Sequence, residues 1–174
     1  MVFTKQVFAL CLVVLTTGCL FEGKEKRIRF NHNANITDVI MYGDSLCTDK
    51  GSTPHIMSIR KDCKNGRTLL ELAPIDYNYR VIFLALGTND IRQGITAVEY
   101  KEKLKSIIAE NIICVLPNPI PNISSDDHRL AAIEVCGMYI DPTSDCNVSI
   151  GNPDGIHYIS EDYESLAACL SPMI

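Results

Sequence analysis

One continuous apolar run constrains the fold more than any other feature of the chain. Residues 81–86 read Val-Ile-Phe-Leu-Ala-Leu, with no polar residue at alternate positions. A strand of this composition is covered on both faces, as in parallel sheets that carry helices on each side. The run ends in the polar turn Gly87-Thr88-Asn89-Asp90. We therefore predict a buried strand over residues 80–86 that delivers polar groups to one edge of a parallel sheet.

The rest of the chain alternates predicted strands with predicted helices. Further strands are expected over residues 36–42, 111–116 and 137–140, and short helices over residues 56–61, 69–72 and 128–134. Thr96 and Glu99 form a capping box before an amphipathic helix, and Ser160 is expected to cap a closing helix. This order predicts an α/β fold with helices on both faces of the sheet. A length of 174 residues, 47% of them hydrophobic, suits one domain.

The amino-terminal segment is typical of an export signal rather than of the folded domain. Lys5 precedes an apolar run over residues 7–15, which is too short to span a bilayer, and Thr16-Thr17-Gly18-Cys19 follows. The Gly18-Cys19 junction resembles a bacterial lipoprotein signal, although Thr16 stands where such signals usually have leucine. We predict cleavage before Cys19 with lipidation of Cys19, or plain secretion as the alternative. Residues 20–35 are expected to form a polar tether, and residues 36–174 the extracytoplasmic domain.

Cysteine usage agrees with an extracytoplasmic domain. Six cysteines follow Cys19, an even number that suits disulfides in an oxidising compartment. Six cysteines allow 15 pairings. The expected pairs are Cys47–Cys63, Cys136–Cys146 and Cys114–Cys169. A metal site is not expected, because the chain has no Cys-x-x-Cys or His-Glu-x-x-His spacing.

Charge and loop composition exclude several functions. The formal net charge is −5, from 16 basic and 21 acidic residues. Nucleic acid and anionic lipid call for a basic face, so neither is an expected partner. The chain also lacks a Gly-x-Gly-x-x-Gly turn and a phosphate-binding loop with lysine. No nucleotide cofactor is therefore expected.

Four polar turns supply the groups needed for ester cleavage through a serine. They lie at residues 43–45, 65–68, 87–90 and 154–157. Ser45 would be the nucleophile and His157 the base that takes its proton. Asp154, three residues before the histidine, would hold the other ring nitrogen. The sequence thus predicts a Ser-His-Asp set built from the two ends of the domain.

Donors for the oxyanion of the tetrahedral intermediate are also present. They are the backbone N–H of Ser45, the backbone N–H of Gly66 and the side-chain amide of Asn89. Glycine suits the second position because a ligand atom must come close to the backbone there. Asp44 is interpreted as a turn former or a hydrogen-bonding residue at the end of a strand rather than a catalyst.

Taken in order, these motifs resemble the GDSL or SGNH hydrolase family. They are Gly43-Asp44-Ser45-Leu46, Gly66 before x-Thr68, Gly87-Thr88-Asn89-Asp90 and Asp154-x-x-His157. The resemblance implies a three-layer α/β/α fold with a flavodoxin-like parallel sheet, catalysis without metal or cofactor, and activity on esters. The short interval from Ser45 to Gly66 implies that the second strand is reduced or absent. Tyr158 is expected either to line the substrate pocket or merely to pack.

The function expected from these observations is an extracytoplasmic serine ester hydrolase that removes short acyl groups such as acetate from glycans. One alternative is an acyltransferase that uses the same acyl-enzyme. Another is a non-catalytic lipoprotein that binds glycan. A monomer is expected, with membrane contact only through a lipid on Cys19.

Overall fold

The computed structural model describes residues 38–48, 52–149 and 154–174. Within them lies one five-stranded sheet with strand order β2-β1-β3-β4-β5, in which every neighbouring pair is parallel. The strands are β1 Val39–Gly43, β2 Arg60–Cys63, β3 Val81–Ala85, β4 Ile112–Val115 and β5 Tyr139–Ile140. The predicted export signal, Cys19 and the tether over residues 20–35 lie outside the described residues.

Six α-helices belong to the described part of the chain: α1 Thr53–Ile56, α2 Thr88–Arg92, α3 Ala97–Ile107, α4 Asp126–Val135, α5 Pro142–Asp145 and α6 Ser160–Leu170. Two 3₁₀ turns cover Ser45–Cys47 and Ser171–Met173. None of the helices in this part is long and apolar enough to cross a membrane.

Alternating residues of each strand feed two separate cores, one on each face of the sheet. Met41, Phe83 and Ile113 pack with Leu166 and Leu170 of α6. On the other face, the intervening positions Ile40, Ile82 and Ile112 pack with Leu104 of α3 and Ala132 of α4. Because both faces of the sheet are covered, the three central strands β1, β3 and β4 are apolar throughout, as residues 81–86 predicted. The structure is the expected three-layer α/β/α fold.

Several local predictions were wrong where polar or short segments gave little signal. The helix expected over residues 56–61 is instead α1, which ends at Ile56, followed by β2. Residues 69–72 form a turn rather than a helix. The first residue of α6 is Ser160; the cap position falls on Ile159, with no side-chain cap. The capping box of Thr96 and Glu99 is confirmed at the start of α3.

The second strand is present, reduced to four residues. β2 pairs with β1 in parallel, with Gly43 opposite Cys63. Its first residues, Arg60 and Lys61, are exposed because β2 lies at the edge of the sheet. An exposed edge strand need not be apolar, and this is why its sequence gave no strand pattern.

One of the three predicted disulfides is present and two pairings were wrong. Cys47–Cys63 links the turn after β1 to the end of β2. The other two bonds are Cys114–Cys136 and Cys146–Cys169. Cys114 and Cys136 belong to the core on the α3 and α4 face, whereas Cys146 and Cys169 belong to the α6 face. The predicted pairs Cys136–Cys146 and Cys114–Cys169 would each have crossed the sheet, which a disulfide cannot span.

Candidate active site

The turn after β1 places Ser45 at the carboxyl edge of the sheet. β1 is buried along its whole length and ends at Gly43. Asp44 then caps the 3₁₀ turn Ser45–Cys47, and its Oδ1 accepts a hydrogen bond from the backbone N–H of Leu46 at 3.0 Å. Ser45 is only half-buried. Its hydroxyl therefore stands where open α/β sheets bind their ligands.

His157 and Asp154 complete a continuous hydrogen-bonded chain with this serine. The Nε2 atom of His157 lies 3.0 Å from Ser45 Oγ, and its Nδ1 atom lies 2.5 Å from Asp154 Oδ2. With Nδ1 carrying the proton toward the carboxylate, Nε2 is left as the acceptor for the serine proton. The structure thus brings together the three residues that the sequence assigned to nucleophile, base and orienting acid.

A tight turn fixes the carboxylate of Asp154 beneath the imidazole. Its Oδ1 accepts hydrogen bonds from the backbone N–H groups of Ile156 at 2.9 Å and His157 at 3.0 Å. The hydrogen bond from the His157 side chain, followed by these two backbone bonds, lowers the pKa of Asp154 to about 2. The carboxylate is therefore ionised at any pH at which ester cleavage by histidine works. That charge stabilises an imidazolium on His157.

Gly155 allows the turn to approach a neighbouring loop closely. Its φ is +66°, and a Cβ built there would lie 2.6 Å from Pro121 Cγ. Both the backbone conformation and the contact exclude a larger residue. The loop after β4 therefore lies directly against the turn that carries the histidine.

Hydrogen bonds join the three segments that carry the expected oxyanion donors. Thr48, just after the nucleophile turn, donates from its hydroxyl to Asn65 Oδ1 at 2.8 Å, and Gln93 Nε2 donates to the carbonyl of Gly66 at 3.1 Å. Gly66 has a φ of +74°. Within the described residues, the backbone N–H groups of Ser45 and Gly66 donate to no other protein group. Both remain available to a ligand.

Asp44 has a second contact that its sequence did not reveal. Its buried carboxylate accepts a hydrogen bond from Asn89 Nδ2 at 3.0 Å. An amide nitrogen carries two protons, so this bond fixes the orientation of Asn89 and leaves its second N–H free for an oxyanion. Burial raises the pKa of Asp44 to about 6, although the hydrogen bonds from Leu46 and Asn89 oppose that rise. Asp44 thus acts both as a turn former and as a hydrogen-bonding residue at the end of β1.

A second buried carboxylate holds the neighbouring loop. Both oxygens of Asp90 accept from the backbone N–H of Leu69, at 3.0 and 2.9 Å. Burial, with a smaller contribution from the charge of Asp44, raises the pKa of Asp90 to about 6. This contact attaches the loop that follows Gly66 to α2, the helix that carries Asn89. From the sequence, Asp90 was only the last residue of a predicted polar turn, with no contact assigned to it.

A small apolar cavity is lined by residues that flank the candidate catalytic groups in sequence. It measures about 20 Å³ and is lined by side chains that include Leu46, Thr88 and Tyr158, the sequence neighbours of Ser45, Asn89 and His157. A cavity of that volume holds about one water-sized group. Tyr158 thus lines a pocket and is also buried in the core. In the described part of the chain, no group of His, Cys, Asp or Glu side chains is placed to hold a metal ion.

Comparison with solved structures shows the same fold in several ester hydrolases. The lipase/acylhydrolase from Enterococcus faecalis superposes with a TM-score of 0.62 at 19% identity, covering 78% of this chain and 94% of that one. A member of the lipolytic protein G-D-S-L family from Veillonella parvula gives 0.55 at 18% identity, covering 78% and 97%. A catalytic mutant of an acetylxylan esterase from Geobacillus stearothermophilus gives 0.56 at 15% identity, covering 77% and 92%. No family model and no curated protein sequence matches the chain.

Proposed function

We propose that this chain is a serine ester hydrolase of the GDSL family, with Ser45, His157 and Asp154 as its catalytic set. The observation that carries the proposal is the hydrogen-bonded chain from Ser45 Oγ through both ring nitrogens of His157 to Asp154. Its support comes from the fold, which is shared with two lipolytic proteins of the G-D-S-L family at 14% and 18% identity and with a lipase/acylhydrolase at 19%.

The geometry favours acyl transfer in two steps. Ser45 Oγ attacks the carbonyl carbon of the ester while Nε2 of His157 takes its proton, and Asp154 balances the charge that forms on the ring. The negative oxygen of the tetrahedral intermediate is met by the N–H groups of Ser45, Gly66 and Asn89. The ring proton then passes to the departing alcohol. Water, activated by the same nitrogen, releases the acid and regenerates the free serine hydroxyl.

The substrate class follows from the shape of the site. The apolar cavity beside Leu46 and Tyr158 has room for about one methyl-sized group, which favours acetyl over longer acyl chains. The side chains of His157 and Asp154 remain 34% and 46% exposed. An open site of this kind accommodates a bulky alcohol, and we propose acetylated glycans as the natural esters. The similar fold of an acetylxylan esterase supports this choice.

The location of the enzyme is proposed to be extracytoplasmic. Three disulfides within the described residues fit an oxidising compartment. Cleavage before Cys19 and lipidation of that residue stay predictions. Together they would place a monomeric enzyme at the outer side of a membrane, where it meets surface or extracellular glycans.

The test compares the full chain, produced in an oxidising host, with its Ser45→Ala and Ser165→Ala variants. Ser165 is a half-buried residue of α6, like Ser45 in its degree of burial, and its hydroxyl donates to Glu161 O, so its replacement is the matched control. We expect hydrolysis of p-nitrophenyl acetate to exceed that of the butyrate, and to fall by at least about 10³-fold in Ser45→Ala alone. Equal rates in the wild type and Ser45→Ala would refute the catalytic assignment.

Two added measurements separate the alternative functions. Acylated product on an added xylo-oligosaccharide would identify a transferase, because the acyl-enzyme is then passed to sugar instead of water. Failure of a fluorophosphonate to label Ser45 in well-folded protein would instead favour a non-catalytic lipoprotein that binds glycan.

A further inference from the structure

A buried asparagine after β4 contacts both halves of the candidate site. Asn118 is 1% exposed. Its Nδ2 donates to the carbonyl of Ile156 at 3.1 Å, and its Oδ1 accepts from the hydroxyl of Tyr158. Its backbone N–H donates to the hydroxyl of Thr88 at 3.2 Å. One residue thus joins the histidine turn to the first residue of α2.

The contacts of Asn118 bracket the two catalytic groups in sequence. Ile156 and Tyr158 are the neighbours of His157 on either side, and Thr88 is the neighbour of Asn89. Asn118 is therefore hydrogen-bonded to the sequence neighbours of both His157 and Asn89. Displacement of the Asn118 side chain would release the backbone carbonyl of Ile156 on one side of His157 and the phenol of Tyr158 on the other.

The orientation of the amide is determined by its partners. The carbonyl of Ile156 can only accept, so the nitrogen of the amide must face it and the oxygen must face Tyr158. Burial raises the pKa of Tyr158 well above its ordinary value, so its phenol keeps the proton that it donates to Asn118. The bond to Tyr158 is buried and the bond to Ile156 is partly buried. In the interior an unmatched polar group costs about 1–3 kcal/mol. The amide is therefore held in a single orientation.

A hydrogen bond from α4 holds the residue that precedes Asn118. Arg129 of α4 donates from one guanidinium nitrogen to the carbonyl of Pro117 at 2.6 Å and from the other to Asp141 Oδ2. The side chains of Arg129 and Asp141 are both largely buried. The segment that carries Asn118 is thus a rigid support.

We infer that Asn118 is a positioning residue that sets the imidazole of His157 against Ser45 and Asp154. The inference rests on the proposed function, since it assigns a role in that same reaction. Asn118 acts through the carbonyl of Ile156 and the hydroxyl of Tyr158, and within the described residues it makes no hydrogen bond to Ser45. It also lines the small apolar cavity. Its loss should therefore slow the chemical step more than it weakens substrate binding.

The test replaces Asn118 by aspartate in the full chain. Asn118→Asp keeps the size of the side chain and the acceptor for Tyr158 but removes the donor to Ile156. Because displacement of a catalytic group by about 1 Å costs on the order of 10²-fold, we expect kcat for p-nitrophenyl acetate to fall by about 10- to 100-fold, with KM changed less than about threefold. The low-field proton resonance of His157 Nδ1–H should weaken or disappear.

Asn111→Asp is the matched control. Asn111 also donates from its side-chain amide to backbone carbonyls, of Tyr77 and Tyr79, but at the amino end of β4. This variant should lose stability while its kcat and its His157 resonance stay as in the wild type. Should Asn118→Asp not fold, Tyr158→Phe, which removes only the hydroxyl bonded to Asn118, must lower kcat and weaken the resonance in the same direction.

Two results would overturn the inference. One is a folded Asn118→Asp protein with wild-type kcat and an unchanged His157 resonance. The other is an equal fall of kcat in Asn111→Asp, which would show a general effect of stability. The resonance does not require turnover, so the role of Asn118 is tested even if wild type and Ser45→Ala hydrolyse esters equally and the proposed function fails.

Discussion

Removal of the Cys47–Cys63 disulfide should reduce turnover as well as stability. Cys47 is the last residue of the turn that contains Ser45, and Cys63 is the last residue of β2, three positions before Gly66. The bond therefore connects the segment of the nucleophile to the segment of an oxyanion donor. The bond Cys146–Cys169 joins α5 and α6 and touches neither segment.

The expected loss of stability is the same for both bonds. Their cysteines are separated by 16 and 23 residues. Restriction of the unfolded chain by loops of these lengths contributes about 3 kcal/mol in each case. Each pair also consists of one buried and one half-buried cysteine, so the packing lost on replacement by alanine is similar. The two double variants are thus matched in everything except distance from Ser45.

The assay measures urea unfolding and hydrolysis of p-nitrophenyl acetate for Cys47→Ala/Cys63→Ala and for Cys146→Ala/Cys169→Ala. Both should lose about 3 kcal/mol in the free energy of unfolding. Only the first should lose at least about 10-fold in kcat, because the nucleophile is then held less accurately against its oxyanion donors. Equal kcat values in two folded variants would refute the idea that this disulfide positions Ser45.

Two further predictions concern polar groups at the same edge of the sheet. Asn89→Ala should lower kcat for p-nitrophenyl acetate by about 10²- to 10³-fold with little change in KM, since it removes a donor needed mainly in the transition state; an unchanged kcat would exclude Asn89 from the oxyanion site. Burial raises the pKa of Asp90 from 3.8 to about 6, so the folded state binds more protons than the unfolded state between those pH values. The stability that Asp90 contributes is complete below about pH 4 and is lost as the pH rises through 6. Tm should therefore increase from pH 7 to pH 5, and this increase should be smaller in Asp90→Asn. Identical pH profiles of Tm in the two proteins would contradict the assignment.

The strongly patterned parts of the sequence predicted their structures well. The run over residues 81–86 became the buried β3, and the capping box at Thr96 begins α3 as expected. Residues 56–61 and 69–72 were misread, because their structure depends on partners outside the segment. β2 forms only where β1 lies beside it, and Leu69 is held in a turn by Asp90. The residue pattern within a segment does not indicate such contacts with distant segments.

The catalytic candidates divide in the same way. Ser45, His157 and Asp154 were found from residue type and spacing, because only a few side chains can act as nucleophile, base and orienting acid. Asp44 and Asn118 were not, because their importance lies in what they touch. Asn118 stands between two prolines and has the appearance of an ordinary loop residue.

The sequence by itself determined the alternation of strands and helices, the burial of the sheet on both faces and the choice of candidate site residues. These properties depend on hydrophobic pattern and functional groups, which are local. Only the tertiary structure decided which cysteines pair, because pairing depends on the face of the sheet to which each residue belongs. It also decided that Asp44 is hydrogen-bonded to Asn89 and that Asn118 is hydrogen-bonded to the turn that carries His157. Both are contacts between distant segments, and their cause is the packing of the whole domain.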